Sequence, residues 1–358
     1  MKKSLLALSI LGAFAGVAQA QTNVTMYGIA DVGLVRNDDG KAKVTKLDSG
    51  VYSGSRLGFK GTEDLGGGLQ GLFTLETGIN VDTGGFDQEQ TISGVKNGGT
   101  AFGRQAFVGL GGNFGSVKLG RQQTFIFFAQ AGIDPFGIGL AGNSTKFFSG
   151  PLRVNNTIKY ESPNISGFTA GYSHSFGEVV GAASNGTDNA FTVQYNNGPI
   201  FLSAIYDQSN SSPQTASILP GVIASTPDLT TANLKTKVTN IGGTYDFGVA
   251  KAHLMFDRVR GDSTIATPGA NYRDYLVGVS VPFGASTFLA DYMKRTDKAF
   301  VSRDAKQYAI GYTYSMSKRT TLYTSYSRTT NDSDVALSGA AAKGLTDKNF
   351  DVGVRHAF

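Results

Sequence analysis

Residues 350–358 read Phe350-Asp351-Val352-Gly353-Val354-Arg355-His356-Ala357-Phe358. In this stretch apolar side chains alternate with polar or small ones. Phe350, Val352, Val354 and Phe358 share one parity, and Asp351, Gly353 and Arg355 share the other. Successive side chains of a β-strand point to opposite faces, so this period of two predicts a strand with one apolar and one polar face.

The same alternation recurs along the chain, and no helical period of comparable length appears after Gln21. About sixteen segments show it, and most are near the ten or so residues that cross a bilayer as a tilted strand. We place them at 22–36, 51–61, 69–81, 101–111, 115–121, 153–161, 167–176, 189–196, 200–208, 236–247, 250–259, 272–283, 286–296, 304–316, 320–330 and 349–358.

The connections between these segments alternate between short and long. The short ones carry turn residues, as in Asn197-Gly198-Pro199 and Phe283-Gly284-Ala285, where Gly, Asn and Pro favour tight turns. The long ones include 122–152, 208–235 and 331–348. Short turns at one end and long loops at the other are typical of an outer-membrane β-barrel, whereas a soluble β-sandwich has no reason to sort its connections by length.

The first twenty residues have a different character. Lys2 and Lys3 precede an apolar run from Leu5 to Val17, and Ala18-Gln19-Ala20 is a small-x-small cleavage pattern. The run is too short for a membrane-spanning helix, so residues 1–20 are predicted to be a cleaved export signal. We expect residues 21–358 to form one barrel domain, because without a long apolar helix the backbone can enter a membrane only as a closed barrel.

Composition and motifs exclude several classes of function. The chain has no cysteine, and its net charge of +5 is too mild to indicate nucleic-acid binding. The G-x-G-x-x-G match at 66–71 opens a strand rather than a helix, so it does not indicate a nucleotide site. The three histidines lie on different predicted strands without metal-ligand spacing. We therefore expect no cofactor, no metal, no nucleic-acid partner and no enzymatic activity, although a spatial Ser-His-Asp triad stays open.

The connection 122–152 has a composition unlike the other loops. It begins with Phe125-Ile126-Phe127-Phe128, continues through Asp134-Pro135-Phe136-Gly137 and is rich in glycine. An apolar loop has little reason to lie in external water, but inside the barrel it can pack on the inner wall and narrow the pore. We expect a long loop without secondary structure of its own, folded into the lumen.

Several motifs resemble those of the trimeric general porins of Gram-negative bacteria, in the form common in β-proteobacteria. They are residues 55–66 (SRLGFKGTEDLG), 104–110 (RQAFVGL), 117–122 (VKLGRQ), 134–137 (DPFG), 317–320 (SKRT) and the terminal Phe358. The resemblance covers the whole chain. It implies a sixteen-stranded all-β antiparallel barrel, a homotrimer, a third loop folded into each pore, and passive diffusion of ions and small hydrophilic solutes. It also implies that the barrel-assembly machinery recognises Phe358.

Strand parity provides candidates for the pore wall, because lumen-facing and lipid-facing positions alternate. The apolar residues expected to face the lipid are Leu57, Phe59, Phe107, Ile158 and Tyr160. The basic residues expected to face in are Arg56, Lys60, Arg104, Arg153 and Lys159. Acidic residues are also expected to face in, at Asp31, Glu76, Asp257, Asp291 and Asp351.

Arg121 has the parity of the apolar residues, but the resemblance places an arginine of this motif in the constriction. A basic wall that faces an inserted loop carrying Asp134 predicts electrostatic filtering with a mild anion preference. The alternative is that these residues are ordinary lumen polar groups that hydrate a wide pore.

The sequence therefore predicts an outer-membrane porin, in contact with lipid and lipopolysaccharide, that conducts small solutes. A substrate-selective channel for small anions is the main alternative. A surface adhesin or structural anchor, and a barrel hydrolase, are weaker ones.

Overall fold

The computed structural model describes residues 23–87, 90–92, 95–97, 100–210, 234–262 and 269–358. The predicted export signal lies outside these ranges. Sixteen strands form the wall: β1 (Asn23–Asp38), β2 in two parts (Lys43–Ser49 and Arg56–Gly66), β3 (Leu69–Ile79), β4 (Gln105–Gly112), β5 (Gly115–Gln123), β6 (Arg153–Glu161), β7 (Phe168–Ser175), β8 (Asp188–Asn197), β9 (Ile200–Asn210), β10 (Lys235–Asp246), β11 (Lys251–Gly261), β12 (Asn271–Phe283), β13 (Ser286–Asp297), β14 (Ala305–Ser315), β15 (Thr320–Asn331) and β16 (Asp347–Ala357).

Each strand pairs antiparallel with its neighbours in chain order, and the last strand closes the sheet on the first. The closing ladder runs from Ile29 opposite Ala357 to Asp38 opposite Lys348. The predicted all-β, sixteen-stranded antiparallel barrel is therefore confirmed. Closure matters because the backbone groups of every strand then find partners within the sheet.

The interruption of β2 differs from the single strand predicted at 51–61. Residues 50–55 leave the sheet and fold toward the lumen, where Asp31 accepts a hydrogen bond from the backbone amide of Ser53 at 2.8 Å. The carbonyl oxygen of Val51 accepts one from the amide of Leu140 at 2.6 Å. These bonds to the wall and to the inserted loop replace the ladder bonds that the segment gives up.

The two faces of the wall follow the predicted alternation. Large apolar side chains such as Ile310 and Val277 are more than half exposed on the outside, as lipid-facing positions require. On the inside lie buried acids, among them Asp31, Asp257 and Asp351.

Strand β4 corrects one assignment of faces. Phe107 was predicted to face out, but it pairs with Thr74 on the inner face, and the Lys118 Nζ lies 5.9 Å from its ring centroid. Val108, which is 61% exposed, faces out instead. The prediction assigned Phe107 to the outer face as an apolar residue and counted parity from it to place Arg104 inside. Arg104 precedes β4, which begins at Gln105, so strand parity does not link the two residues.

A helix lies in the long loop between β5 and β6, contrary to the expectation of a loop without secondary structure. Helix α1 (Phe125–Ile133) begins after Thr124, whose hydroxyl accepts a hydrogen bond from the amide of Phe127 at 3.1 Å. The helical period was hidden because the helix is apolar nearly all round. In the part of the chain that the structure describes, no helix has the length and hydropathy needed to span a membrane.

The loop folds into the lumen, as predicted. Phe125, Ile126, Ala129 and Ile133 of α1 are buried in one apolar cluster with inward-facing wall residues. The wall residues of this cluster include Ala190, Ile205, Val238, Met255, Val259, Leu276 and Met293. Burial of this apolar surface, at roughly 25 cal/mol per Å², holds the loop against the strands β8 to β13.

Asp134 fixes the turn that follows the helix. Its Oδ1 accepts a hydrogen bond from the amide of Phe136 at 2.8 Å. Its Oδ2 accepts bonds from the amides of Ile138 at 3.0 Å and Ser144 at 2.8 Å. The side chain is buried, and burial raises the pKa of its carboxyl group to about 6.

The raised pKa of Asp134 predicts a pH dependence of stability. The folded protein holds this proton more tightly than the unfolded chain, so the contribution of the group to stability is complete below pH 3.8. It is lost as the pH rises to about 6. As the pH rises from 3.8 to about 6, we expect the unfolding temperature of the wild type to decrease relative to that of the Asp134→Asn variant. A difference that is constant across this range would contradict the assignment. The variant Asp82→Asn, at an exposed position after β3, serves as the control.

Candidate pore constriction

Arginine side chains gather on the side of the lumen that α1 leaves open. Arg104 and Arg355 lie within electrostatic range of Arg56, and Arg104 and Arg121 lie within range of Arg153. The structure thus brings together four arginines that the sequence proposed, and it adds Arg355. We call Arg56, Arg104, Arg121, Arg153 and Arg355 the arginine cluster.

Arg104 is held by an ion pair inside the barrel. Its Nε donates to Glu76 Oε1 at 2.7 Å, and both side chains are less than 5% exposed. The Tyr27 hydroxyl donates to the other carboxylate oxygen at 2.9 Å. Gly54 lies against the guanidinium, because a Cβ at this position would come within 2.7 Å of the Arg104 Nη1. Arg104 is therefore fixed in orientation and largely neutralised by Glu76.

Two further arginines contact the inward segment 50–55. Arg56 Nε donates to the carbonyl oxygen of Gly54 at 2.9 Å. Arg355 Nε donates to the Ser53 hydroxyl at 3.1 Å. The sequence proposal omitted Arg355, although its parity with Asp351 already placed it on the inner face. The departure of residues 50–55 from the sheet orients both guanidinium groups, and no strand pattern revealed that departure.

Arg153 and Arg121 lie at the start of β6 and the end of β5. The guanidinium carbon of Arg153 lies 5.6 Å from the ring centroid of Phe127 on α1. Arg121 donates from Nε to the carbonyl oxygen of Gly103 at 2.6 Å and from Nη1 to the Asn155 side chain.

Arg121 had ambiguous parity because the β5–β6 ladder is irregular beside it. A β-bulge on β6 sets residues 155 and 156 opposite Arg121, and Asn156 has φ 53°. A bulge re-aims side chains locally, so parity counted along the strand fails at this position. The side chain of Arg121 is bound to the wall rather than extended freely into the pore.

Three of the proposed residues lie outside the arginine cluster. Lys159 is 3% exposed beneath α1, where its Nζ lies 4.3 Å from the ring centroid of Phe125. Asp134 is buried and bonded to backbone amides, so it does not face the arginines as the sequence suggested. Lys60 is exposed and lies four residues along β2 from Arg56, about 13 Å toward the short-turn end.

The face that the loop turns to the pore carries no charge in α1 or in the turn that follows it. Phe127 is partly exposed, Phe128 is 45% exposed, and Gly132 and Gly137 are exposed. Within the described residues, Arg56, Arg153 and Arg355 form no ion pair with a carboxylate, whereas Glu76 is bound by Arg104. Asp31 is within electrostatic range of Arg355 but is already bonded to Tyr323 at 2.7 Å. The constriction therefore carries an excess of positive charge.

Comparison with known proteins places the chain in a family. The sequence profile of the Gram-negative porin family matches residues 7–334. An outer membrane porin protein of Bordetella pertussis is 33% identical over 414 aligned positions, which cover 100% of both chains. Outer membrane porin protein 32 of Delftia acidovorans is 32% identical and also covers 100% of both chains.

Solved structures agree with this assignment. An anion-selective porin from Comamonas acidovorans superimposes with a TM-score of 0.78 and 28% identity, covering 94% of this chain and 100% of its own. OmpF of Salmonella typhi, at 18% identity and a TM-score of 0.67, shares the fold. The chain therefore belongs to the Gram-negative porin family and is a β-barrel protein of the outer membrane.

Proposed function

We propose that the protein forms a water-filled channel for passive diffusion of ions and small hydrophilic solutes, and that the channel prefers anions. The observation that carries the anion preference is the arginine cluster, together with the uncharged surface of α1 and of the turn that follows it. The name of the Comamonas structure, an anion-selective porin, supports the same proposal.

Electrostatics explains how this geometry discriminates between anions and cations. Between the barrel wall and α1 the pore is bounded by low-dielectric material, so fixed charges act on an entering ion with little screening. Guanidinium groups that lack a carboxylate partner attract anions and repel cations. Arg104 mainly shapes the constriction, because Glu76 neutralises its charge. Arg56 and Arg153 provide the positive electrostatic field in the pore.

A non-enzymatic role is part of the proposal. His253 is bonded to the carbonyl oxygen of Ile133 and to Ser280, His174 to Asn189, and His356 to Thr320. None of these imidazoles is bonded to a carboxylate in the described residues, as a Ser-His-Asp triad would require.

The assembly of the channel is proposed from the family. We propose a homotrimer in contact with lipid and lipopolysaccharide, in which the barrel-assembly machinery recognises Phe358. The backbone amide and carbonyl of Phe358 bond to Gly28 at 3.0 Å each, and its ring is 49% exposed. The terminal residue thus lies at the seam where the barrel closes and still presents its side chain.

Replacement of Arg56 and Arg153, which have no carboxylate partner in the part of the chain that the structure describes, tests the anion preference. We expect the double variant Arg56→Gln, Arg153→Gln to lose most of the anion preference, because neither change leaves a carboxylate without its partner. The measurement is the zero-current potential of single channels in a salt gradient. Arg36→Gln, an exposed arginine at the loop end of β1, is the matched control and should keep the wild-type potential. An unchanged potential in the double variant would refute the role of these arginines.

Liposome swelling separates a general pore from a substrate-selective channel or a closed barrel used as an adhesin or anchor. We expect rates that fall smoothly with solute size for uncharged sugars, and faster entry of a carboxylate than of an ammonium compound of equal size. Swelling confined to one anion would favour the selective channel. No swelling would contradict channel function.

A further inference from the structure

Each of the six consecutive strands β11 to β16 places a basic side chain on the outer face near its loop end. These positions alternate with buried, inward-facing ones, so the pleat of the sheet directs them outward. Lys294, Lys306 and Arg328 are exposed, and the other three residues are partly exposed. We call the six residues the basic belt: Arg258, Arg273, Lys294, Lys306, Arg328 and Lys348.

The strand register makes the basic belt continuous along this side of the barrel. Three pairs of like charges lie directly opposite each other on neighbouring strands: Arg258 and Arg273, Lys294 and Lys306, and Arg328 and Lys348. The two remaining steps between neighbouring strands are diagonal. Like charges that lie directly opposite on one face of a sheet are destabilising, so this arrangement requires a counter-charge.

A row of aromatic side chains lies next to the belt on the same outer face. Each basic residue has an aromatic residue two positions closer to the short-turn end of its strand, about 7 Å away along the strand. The aromatic residues are Phe256, Tyr275, Tyr292, Tyr308, Tyr326 and Phe350. Aromatic girdles mark the border between hydrocarbon and headgroups, so the belt lies at the level of the headgroups of the outer leaflet.

The strands themselves supply no carboxylate to the belt. Among the described residues, Lys348 pairs with Asp38 on β1 at 3.5 Å, and the other five belt residues form no ion pair. The Arg258 Nε is buried without a hydrogen-bond partner in the described ranges. The loop acids Asp262 and Asp304 accept hydrogen bonds from backbone amides. All acidic residues within β11 to β16 have the inward parity, and they are Asp257, Asp274, Asp291, Asp297, Asp347 and Asp351.

The opposite side of the barrel has a different outer surface. Strands β7, β8 and β9 contain no lysine or arginine. The two basic residues of β6, Arg153 and Lys159, contact rings of α1 inside the barrel. Basic residues at the headgroup level are therefore a feature of β11 to β16 and not of the whole outer surface.

We propose that the basic belt binds the phosphate groups of lipopolysaccharide in the outer leaflet. Basic residues beside a membrane attract anionic headgroups, and arginine binds phosphate with two hydrogen bonds. A phosphate group between two opposite basic residues attracts both of them and so balances their mutual repulsion. Exposed apolar side chains below the aromatic row, such as Val277 and Ile310, offer a surface for the acyl chains of the same lipid. The inference rests on the proposed contact with lipopolysaccharide and adds its residues and its chemical group.

Binding of lipid A, the phosphorylated anchor of lipopolysaccharide, tests the belt. Protein refolded from denaturant into detergent carries no lipopolysaccharide, and native mass spectrometry counts the lipid molecules that bind to it. We expect diphosphoryl lipid A to bind the wild type, and the variant Lys294→Gln, Lys306→Gln to bind it about tenfold more weakly or worse. The variant Lys294→Arg, Lys306→Arg keeps the charge and should bind as the wild type does.

The variant Lys318→Gln, Arg319→Gln is the matched control. It removes the same charge from two exposed residues on the short turn between β14 and β15, at the other end of the barrel, and should bind lipid A normally. Single-channel conductance of each variant should equal that of the wild type, which shows that the barrel is folded. A conducting wild-type channel that does not bind lipid A would refute the belt and leave channel function intact.

Other occupants of the belt give different results in the same assay. Equal binding of dephosphorylated lipid A would mean that apolar contacts alone hold the lipid. Equal binding of phosphatidylglycerol would assign the belt to any anionic lipid. Loss of the oligomer in lipid-free detergent by the variant Lys294→Gln, Lys306→Gln would assign the belt to a second copy of this chain. Each of these results overturns the proposal, as does unchanged binding of diphosphoryl lipid A by that variant.

Discussion

The structure depends on one constraint, which is that backbone amide and carbonyl groups within a bilayer must bond to each other. A sheet meets it only when its first and last strands pair, and here β1 pairs with β16 over ten register positions from Ile29 to Asp38. Phe358 extends that seam by bonding to Gly28. Once the seam is closed, each strand has two neighbours, and alternation assigns one face to lipid and the other to the lumen.

The inserted loop turns this barrel into a constricted pore, and it is held by two kinds of contact. Apolar burial of α1 supplies the attraction, while polar contacts fix its position. The amide of Ser149 donates to Asp257 at 3.1 Å, and the amide of Ala141 donates to the Ser325 hydroxyl at 2.9 Å. The inner wall is therefore not uniformly polar. Where the loop rests it is apolar, and where the pore remains open it is basic.

Buried charge is arranged in three ways within one barrel. Glu76 and Asp274 are paired with arginines, and Asp134 and Asp31 are satisfied by backbone amides. Asp188 and Asp207 have neither kind of partner among the described residues. Arg56, Arg153 and Arg355, which form no ion pair with a carboxylate among the described residues, lie along the open pore. Because a charge acts more strongly in a low-dielectric enclosure, this division determines which groups an ion in the pore experiences.

The sequence by itself determined the fold class, the sixteen strands and the order of short and long connections. A strand's period of two and the turn residues are local properties, so they can be recognised without the rest of the molecule. The sequence also indicated that residues 122–152 enter the lumen, since an apolar loop needs a dry surface. Leu276 and Met293 are apolar residues at lumen-facing positions of their strands, and this pattern indicates the part of the wall on which the loop packs.

Tertiary structure decided which of the charged residues on the inner face reach the open pore. Lys159 and Asp134 were predicted to line it, but α1 covers the first and backbone amides surround the second. Parity placed Arg355 on the inner face, but the inward segment 50–55 that orients its guanidinium follows no strand pattern. The bulge beside Arg121 interrupts the parity count there. Parity assigns a side chain to a face of the sheet. Whether that side chain contacts water, the loop or an opposite charge depends on contacts between segments distant in sequence, which no local pattern encodes.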